Sequence, residues 1–434
     1  MGSFRIGRAS LHVVMAIASV TVLGGVSPLA NADGLTIDQA INVAIERNKD
    51  LQSAGYAVEQ ARARLVQAGL APNPHLELGT KNDRLFGNEG EYTANVGVSQ
   101  QFSVVGRLAR QKDVARVDVA LAMAEIRNAQ LKLAADVASG WYRVLILSRQ
   151  LNAGERLIDI DRKLVQGTRS RFKAAEVSEL DVNAAQLDLQ RLYQERALLQ
   201  SQRTTQLAQL NLLLGRPATQ PLDLDTTQPT MDILPGLPEL QREASALRPD
   251  LRFALLNADR ARADQALASA QRWEDWSVSI GLEQGRQVIS GLPPQGTSRT
   301  IGVTLSIPLQ FVNKNQGRIA EAAAAGDQAS ARIDALRLSI DSEIASAHAE
   351  AGHLQEVLAE YRRSMLPLSE RNVSLAQRGY NQGLVSMVEV VQAQRQQGEL
   401  TSTYLKTLDQ YFQALAKLRA ASGEYLKGIK EFEQ

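Results

Sequence analysis

The chain has 434 residues, room for about three ordinary domains, with 48 Lys and Arg against 47 Asp and Glu. That balance leaves no electrostatic footprint for nucleic acid, and no nucleic-acid partner is expected. There are no cysteines and only four histidines, which excludes disulfides, thiolate metal sites and elaborate histidine-built metal centres.

Residues 1–32 read as a cleavable export signal. Arg5 and Arg8 give a positive start, Val13–Val26 is uncharged and mostly apolar, and Ala30-Asn31-Ala32 is a small-residue cleavage site before Asp33. The apolar run falls short of the roughly 20 residues that a spanning helix needs. The mature chain is expected to be exported.

Proline placement maps the remainder. No proline lies between Pro74 and Pro217, only Pro367 follows Pro308, and Pro217, Pro221, Pro229, Pro235, Pro238 and Pro249 crowd the middle. Long proline-free stretches rich in Ala, Leu, Gln, Arg and Glu predict helices, and 216–243 predicts a linker. Arg107–Gly167 predicts a helix of roughly 90 Å. Its Val114, Val117, Leu121, Ala124, Leu131, Ala135 and Ala138 recur at coiled-coil spacing. Ser178–Leu214 carries two apolar seams, one of Leu180, Ala184, Leu187 and Leu198, the other of Leu189, Leu192, Leu199, Leu210 and Leu213. A helix with two seams has neighbours on both sides, which suits a curved wall of helices.

Other segments have period two. Tyr92–Phe102, the stretch from Trp276 to Glu283 and Thr300–Leu309 alternate apolar with polar residues, and His75–Asn82 does so more weakly. Alternation over about ten residues suits a transmembrane β-strand with lipid on one side and a polar lumen on the other. Trp273 and Trp276 fit interfacial aromatics. Asn82–Glu91, with Gly87 and Gly90, and Arg286–Ser298, with Gly291, Pro293, Pro294 and Gly296, are expected to be exterior loops.

The chain repeats itself at about 200 residues. Lys49-Asp50-Leu51 answers Pro249-Asp250-Leu251, Ala61-Arg62-Ala63 answers Ala261-Arg262-Ala263, and Gly106-Arg107 answers Gly317-Arg318. Phe172–Val182 likewise matches Tyr380–Val390. Each half predicts helix, strand, strand, long helix, tight turn and helix. The halves are 33–215, with a hairpin about 75–102, and 244–423, with a hairpin about 276–309; 424–434 is a tail. Four strands cannot close, and an open sheet edge in lipid costs several kcal/mol per unpaired group. The smallest membrane barrels have about eight strands, so the barrel must be shared between copies. Two, three or four subunits all satisfy that arithmetic.

No catalytic constellation is present. His348 and His353 stand five apart, off the face a zinc-binding helix needs. The methionines do not cluster, and no phosphate-cradling loop or G-x-S-x-G occurs. No enzyme activity, cofactor or metal ligand set is expected.

Several motifs make a specific resemblance. They are Pro72-Asn73-Pro74, Leu210–Pro217 (Leu-Asn-Leu-Leu-Leu-Gly-Arg-Pro), Arg248-Pro249-Asp250-Leu251, Pro308-Leu309 and Asn313-Lys314-Asn315-Gln316-Gly317. Through them nearly the whole mature chain resembles an outer-membrane factor of the TolC family, in its CzcC- and CusC-like heavy-metal branch. The resemblance implies a mainly α fold with a membrane β part. It implies a homotrimer with a shared twelve-stranded barrel in outer-membrane lipid and a long periplasmic α-helical barrel. It also implies partners, a periplasmic adaptor and an inner-membrane RND transporter, and a role as passive exit duct of a tripartite pump. Lipidated relatives carry Cys where Asp33 stands, so no lipid anchor is expected.

Two kinds of site follow from that resemblance. Phe172, Ala175, Val177 and Ser178 in the first turn, and Tyr380, Gly383, Val385 and Ser386 in the second, are expected to dock the adaptor, Ser178 and Ser386 doubling as helix N-caps. Ala175 replaces the more usual glycine. Glu389, with Gln392 and the weaker candidate Asp181, is expected to line the pore constriction, where a ring of like charges attracts cations. The alternative reading is a periplasmic coiled-coil adaptor or scaffold that never enters a membrane.

Overall fold

A computed structural model describes residues 34–85, 90–225, 227, 231, 233–289, 291–293 and 295–429. The export signal with Asp33, together with Gly87, Pro229, Pro294 and the end of the tail, lies outside the described residues.

The elements run in the same order twice. First come α1 (Ile37–Arg47), α2 (Lys49–Ala68), β1 (His75–Asn82), β2 (Tyr92–Phe102), α3 (Arg107–Lys173) and α4 (Glu179–Leu213). Then follow α5 (Leu237–Leu247), α6 (Pro249–Ala270), β3 (Trp276–Arg286), β4 (Ser298–Ser306), α7 (Gln316–Glu360), α8 (Leu366–Asn381) and α9 (Met387–Ser422).

Helix α3 is 67 residues long, about 100 Å at 1.5 Å per residue. It passes its expected end at Gly167 because that glycine faces open space, where the roughly 1 kcal/mol propensity cost is too small to stop a packed helix. In the second half the corresponding rod is interrupted. A π-turn over Tyr361–Met365 separates α7 from α8, just before Pro367. A proline has no N–H and its ring crowds the carbonyl four residues back, so the ladder widens there.

Both halves close on themselves in the same way. Between α1 and α2, Asn48 caps the second helix through Leu51 N (2.9 Å) and donates from Nδ2 to the Leu213 carbonyl at 3.0 Å. Between α5 and α6, Arg248 donates to the Ala421 carbonyl at 3.1 Å. Each of those carbonyls precedes a left-handed glycine, Gly215 (φ 67°) or Gly423 (φ 78°). A Cβ on Gly215 would stand 2.3 Å from the Arg47 carbonyl oxygen, and one on Gly423 2.9 Å from Leu247 Cβ. The glycine of the Leu-Asn-Leu-Leu-Leu-Gly-Arg-Pro motif is thus required by close approach and backbone sign together. One correspondence shifts: the left-handed cap that starts α7 is Asn315, so the counterpart of Gly106 is Asn315 and not Gly317.

The main core lies where α1, α3 and α9 meet. Ala40, Ile41 and Ala44 of α1 pack with Trp141, Tyr142 and Leu145 of α3 and with Leu408, Tyr411 and Phe412 of α9. The Tyr142 and Phe412 rings stack at 4.5 Å, and the Trp141 indole donates to the Leu35 carbonyl at 3.0 Å. Burying such rings contributes about 2 kcal/mol each.

The strands form one antiparallel sheet in the order β1-β2-β3-β4. Strands β2 and β3 come from different halves, yet they pair over their whole length, from Tyr92 opposite Arg286 to Phe102 opposite Trp276. Strand β4 ends at Ser306, before the expected Leu309, because the stretch running into Pro308 has lost its pairing partner beyond Ser277.

Candidate functional site: a two-faced sheet and paired helical turns

Residues directly opposite in a sheet share a face. Leu76 faces Val98, which faces Ile280, which faces Val303; Leu78, Val96, Leu282 and Ile301 form a second such row. All eight are exposed in the protomer. The other face carries the row Glu77, Gly97, Gly281, Gly302 and the row Ser99, Ser279, Thr304. One face is apolar across these two rows, bordered by the Thr80, Ala94, Gln284, Arg299 row on one side, and the other is small and polar. The outer edges of β1 and β4 have no strand partner among the described residues. Water would not favour this arrangement, whereas lipid outside and solvent inside would.

Gln100 breaks the apolar face, and its amide is turned to the Pro72 carbonyl at 2.8 Å. The loop between Pro72 and Pro74 thereby anchors the end of β2. At the same rim Arg107, opening α3, pairs with Asp275 beside Trp276.

At the far ends of the long helices the two turns are built alike. After α3, Ala175 N donates to the Phe172 carbonyl (2.9 Å) and Glu176 N to the Arg171 carbonyl (2.9 Å). After α8, Gly383 N donates to the Tyr380 carbonyl (3.0 Å) and Leu384 N to the Gly379 carbonyl (2.8 Å). Both are Schellman closures, which require a left-handed residue just past the helix. Ala175 (φ 61°) and Gly383 (φ 72°) supply it. For alanine that conformation costs about 1–2 kcal/mol.

Ser178 and Ser386 cap the helices that follow, each in a reciprocal box. Asp181 N donates to Ser178 Oγ (3.3 Å) while Ser178 N donates to the Asp181 carboxylate (3.0 Å). Glu389 N donates to Ser386 Oγ (3.3 Å) while Ser386 N donates to Glu389 Oε2 (2.6 Å). The carboxylates of Asp181 and Glu389 therefore already satisfy helix-end donors. Gln392 is exposed. Phe172, Ala175 and Gly383 are exposed, and Val177, Tyr380 and Val385 half-buried. Val385 packs on Gly379, where an added Cβ would stand 3.1 Å from its Cγ2.

The two turns meet. The Arg171 guanidinium lies 4.4 Å from the Tyr380 ring centroid and its Nε donates to Glu176 at 3.0 Å. Arg171 was not singled out from the sequence, where it is one basic residue among several in Arg169–Lys173.

A second missed group lies farther along the helices. Asp161 and Asp188 are both buried, and Asp188 Oδ1 accepts from Arg395 Nε (2.8 Å) and Arg191 Nε (3.2 Å). The sequence does carry the signal. Asp161 sits in the buried stripe Ile158, Asp161, Val165, Thr168, and Asp188 in Val182, Ala185, Asp188, Leu192. A carboxylate at helical spacing inside an apolar stripe is a buried charge awaiting a partner.

The apolar seams of α4 separate in the structure. Leu192 and Leu210 of one seam are buried within the protomer, whereas Leu180, Leu187 and Leu198 of the other are 76%, 71% and 66% exposed. Among the described residues no cluster of three or more His, Asp or Glu could hold a metal ion. His348 meets the Pro235 carbonyl through Nε2 at 3.1 Å and His353 lies near Glu356. No described helix is long and apolar enough to cross a membrane.

Comparison with known proteins accounts for this architecture. The outer membrane efflux protein family matches residues 40–216 and 240–424. The chain is 24% identical over 396 residues to the cobalt-zinc-cadmium resistance protein CzcC of Cupriavidus metallidurans, covering 90% of each. It is 23% identical over 378 residues to the cation efflux system protein CusC of Escherichia coli O157:H7, covering 82% of this chain and 78% of that one. The crystal structure of the Campylobacter jejuni CmeC outer membrane channel superposes with a TM-score of 0.72 at 13% identity, over 92% of this chain and 87% of that one. The duplicated helices, the four-stranded two-faced sheet and the family match over both halves agree: this chain belongs to the outer membrane efflux protein family.

Proposed function

We propose that three copies of this chain assemble into the exit duct of a tripartite efflux pump, with heavy-metal cations as the exported substrates. The observation that carries the reading is the sheet, apolar over its central rows on one face, lined by Gly97, Gly281, Gly302 and Ser279 on the other, and without a strand partner at either outer edge among the described residues. Copies joined edge to edge satisfy the free backbone groups and enclose a polar lumen. The open Leu180–Leu187–Leu198 seam of α4 gives a neighbouring copy an apolar surface to cover. The metal class rests on the resemblance to CzcC and CusC.

In this reading the export signal is removed before Asp33, the hairpin loops face outward, and the turns at Phe172–Ser178 and Tyr380–Ser386 are periplasmic tips. They dock an adaptor that links the duct to an inner-membrane RND transporter. Glu389, with Asp181 and Gln392, lines the constriction. The same Glu389 carboxylate accepts from Ser386 N in the helix cap, so one side chain serves both cap and gate.

Carbonate-washed outer membranes test the duct. The chain should stay with them and cross-link to a trimer, and a tag beside Gly296 should be labelled on intact cells. Release by carbonate would instead make it a periplasmic scaffold. Replacing Val177 and Val385 together with Asp should abolish metal resistance while the trimer forms normally; unchanged resistance removes the tips from docking.

A further inference from the structure

The buried carboxyl pair is used neither by the tips nor by the lumen. Asp161 stands on α3, Asp188 and Arg191 on α4, and Arg395 on α9, so the cluster joins the helix pair of the first half to the last helix of the second. Asp161 is 5% and Asp188 3% exposed. Asp188 is the carboxyl group beside Asp161, and burial and then its charge oppose the ionisation of Asp161. Asp188 Oδ1 already accepts from both Arg191 and Arg395, so Asp161 is the carboxyl of the two left to hold a proton. On α3 the neighbouring Arg162 is turned away, bonded to Tyr193 at 2.8 Å and Asp159 at 3.0 Å. Glu399 lines the same groove as Arg191 and Arg395.

We propose that Asp161, Asp188 and Arg395 form a proton-operated latch across α3, α4 and α9, closed while Asp161 is neutral and loosened when it ionises. Ionisation sends the Asp161 proton to solvent and leaves two buried carboxylates in contact, competing for Arg191 and Arg395. Like charges so placed repel strongly at low dielectric. Burial, and next the charge of Asp188, push the Asp161 carboxyl up to about 6, against 3.8 for a free aspartate. The folded contact therefore binds the proton more tightly than the opened one. Its stabilisation is fully present below about pH 4 and is lost as the pH rises through 6. A periplasmic segment experiences the pH outside the cell, so the three helices would be tied more firmly in acid than at neutrality. The duct reading enters only through that consequence; the latch is tested without it.

Hydrogen exchange on the intact protein, corrected for the intrinsic pH dependence of exchange, reads the opening of 155–165 and 184–192. Between pH 5 and pH 7 the opening equilibrium there should increase about tenfold, the linkage expected for one proton between these two affinities. The α2 segment 49–68 should not change. Asp161→Asn keeps a donor for Asp188 but has nothing to ionise, and it should flatten the profile at the protected, acid level. Arg395→Gln should raise opening at both pH values. A wild-type profile that is flat, or one that rises equally in α2, overturns the latch, as does an Asp161→Asn profile with the wild-type slope. The wild-type measurement decides even if that variant folds poorly.

Discussion

The Arg171 guanidinium lies 4.4 Å from the centroid of the Tyr380 ring, so the turn that ends α3 touches the turn that ends α8. Two chemically different contacts hold Arg171 in place, the ring face and the carboxylate of Glu176. Residues some 200 positions apart thereby fix the spacing of the two proposed docking tips, and Tyr380 belongs both to that contact and to the apolar cluster of Met387, Val390 and Val391.

A double-mutant cycle should expose this coupling. Arg171→Ala and Tyr380→Ala should each destabilise the protein, and the pair should cost less than the sum by about 0.5–1 kcal/mol, the usual range for a cation over a ring near the surface. Denaturant unfolding of the four proteins gives the number. Strict additivity would mean that the two groups merely lie close.

Ala175 and Gly383 occupy the same left-handed position with different residues. Ala175→Gly should stabilise the first turn by up to about 1 kcal/mol, and Gly383→Ala should destabilise the second by about as much. Thermal melts of the two single variants, shifting in opposite directions, are the check.

The capping boxes separate structural from ionic roles at the tips. Ser386→Ala removes the side-chain acceptor for Glu389 N and should cost about 1 kcal/mol. Glu389→Gln leaves a side-chain oxygen able to accept from Ser386 N, so stability should stay within about 0.5 kcal/mol while the charge is lost. Single-channel recordings of the same variant should show weaker divalent-cation block. Block equal to that of the wild type would leave Glu389 a capping residue alone.

Gly215→Ala should be far more damaging than an average surface change. The new Cβ meets the Arg47 carbonyl oxygen at 2.3 Å in a left-handed backbone, so strain and a backbone clash add to at least about 2 kcal/mol. Gly317→Ala, with open space around it, should be neutral or stabilising in the α7 helix. Folded yield at 37 °C compares the two.

Much of this protein is legible in the chain because the signals are local. Strands β1 and β2 start and end where the period-two pattern does. Ser178 and Ser386 cap their helices as a hydroxyl three residues before an acid predicts. The halves repeat because the same short motifs recur. Backbone preference and capping act within a turn or two, so a reader of the sequence has all the interacting groups in view.

The site contacts were settled elsewhere. Two apolar seams on α4 look equivalent as spacings, and only packing leaves Leu180, Leu187 and Leu198 uncovered while Leu192 and Leu210 are buried. The pairing of β2 with β3, the seat of Arg171 on Tyr380 and the meeting of Asp161, Asp188 and Arg395 all join residues from different elements. Their energies depend on how rods of about 50–100 Å cross and on which charges burial forces together. The amino-acid order fixes which side chains can face one way along each rod; the docking of the rods decides which of them meet.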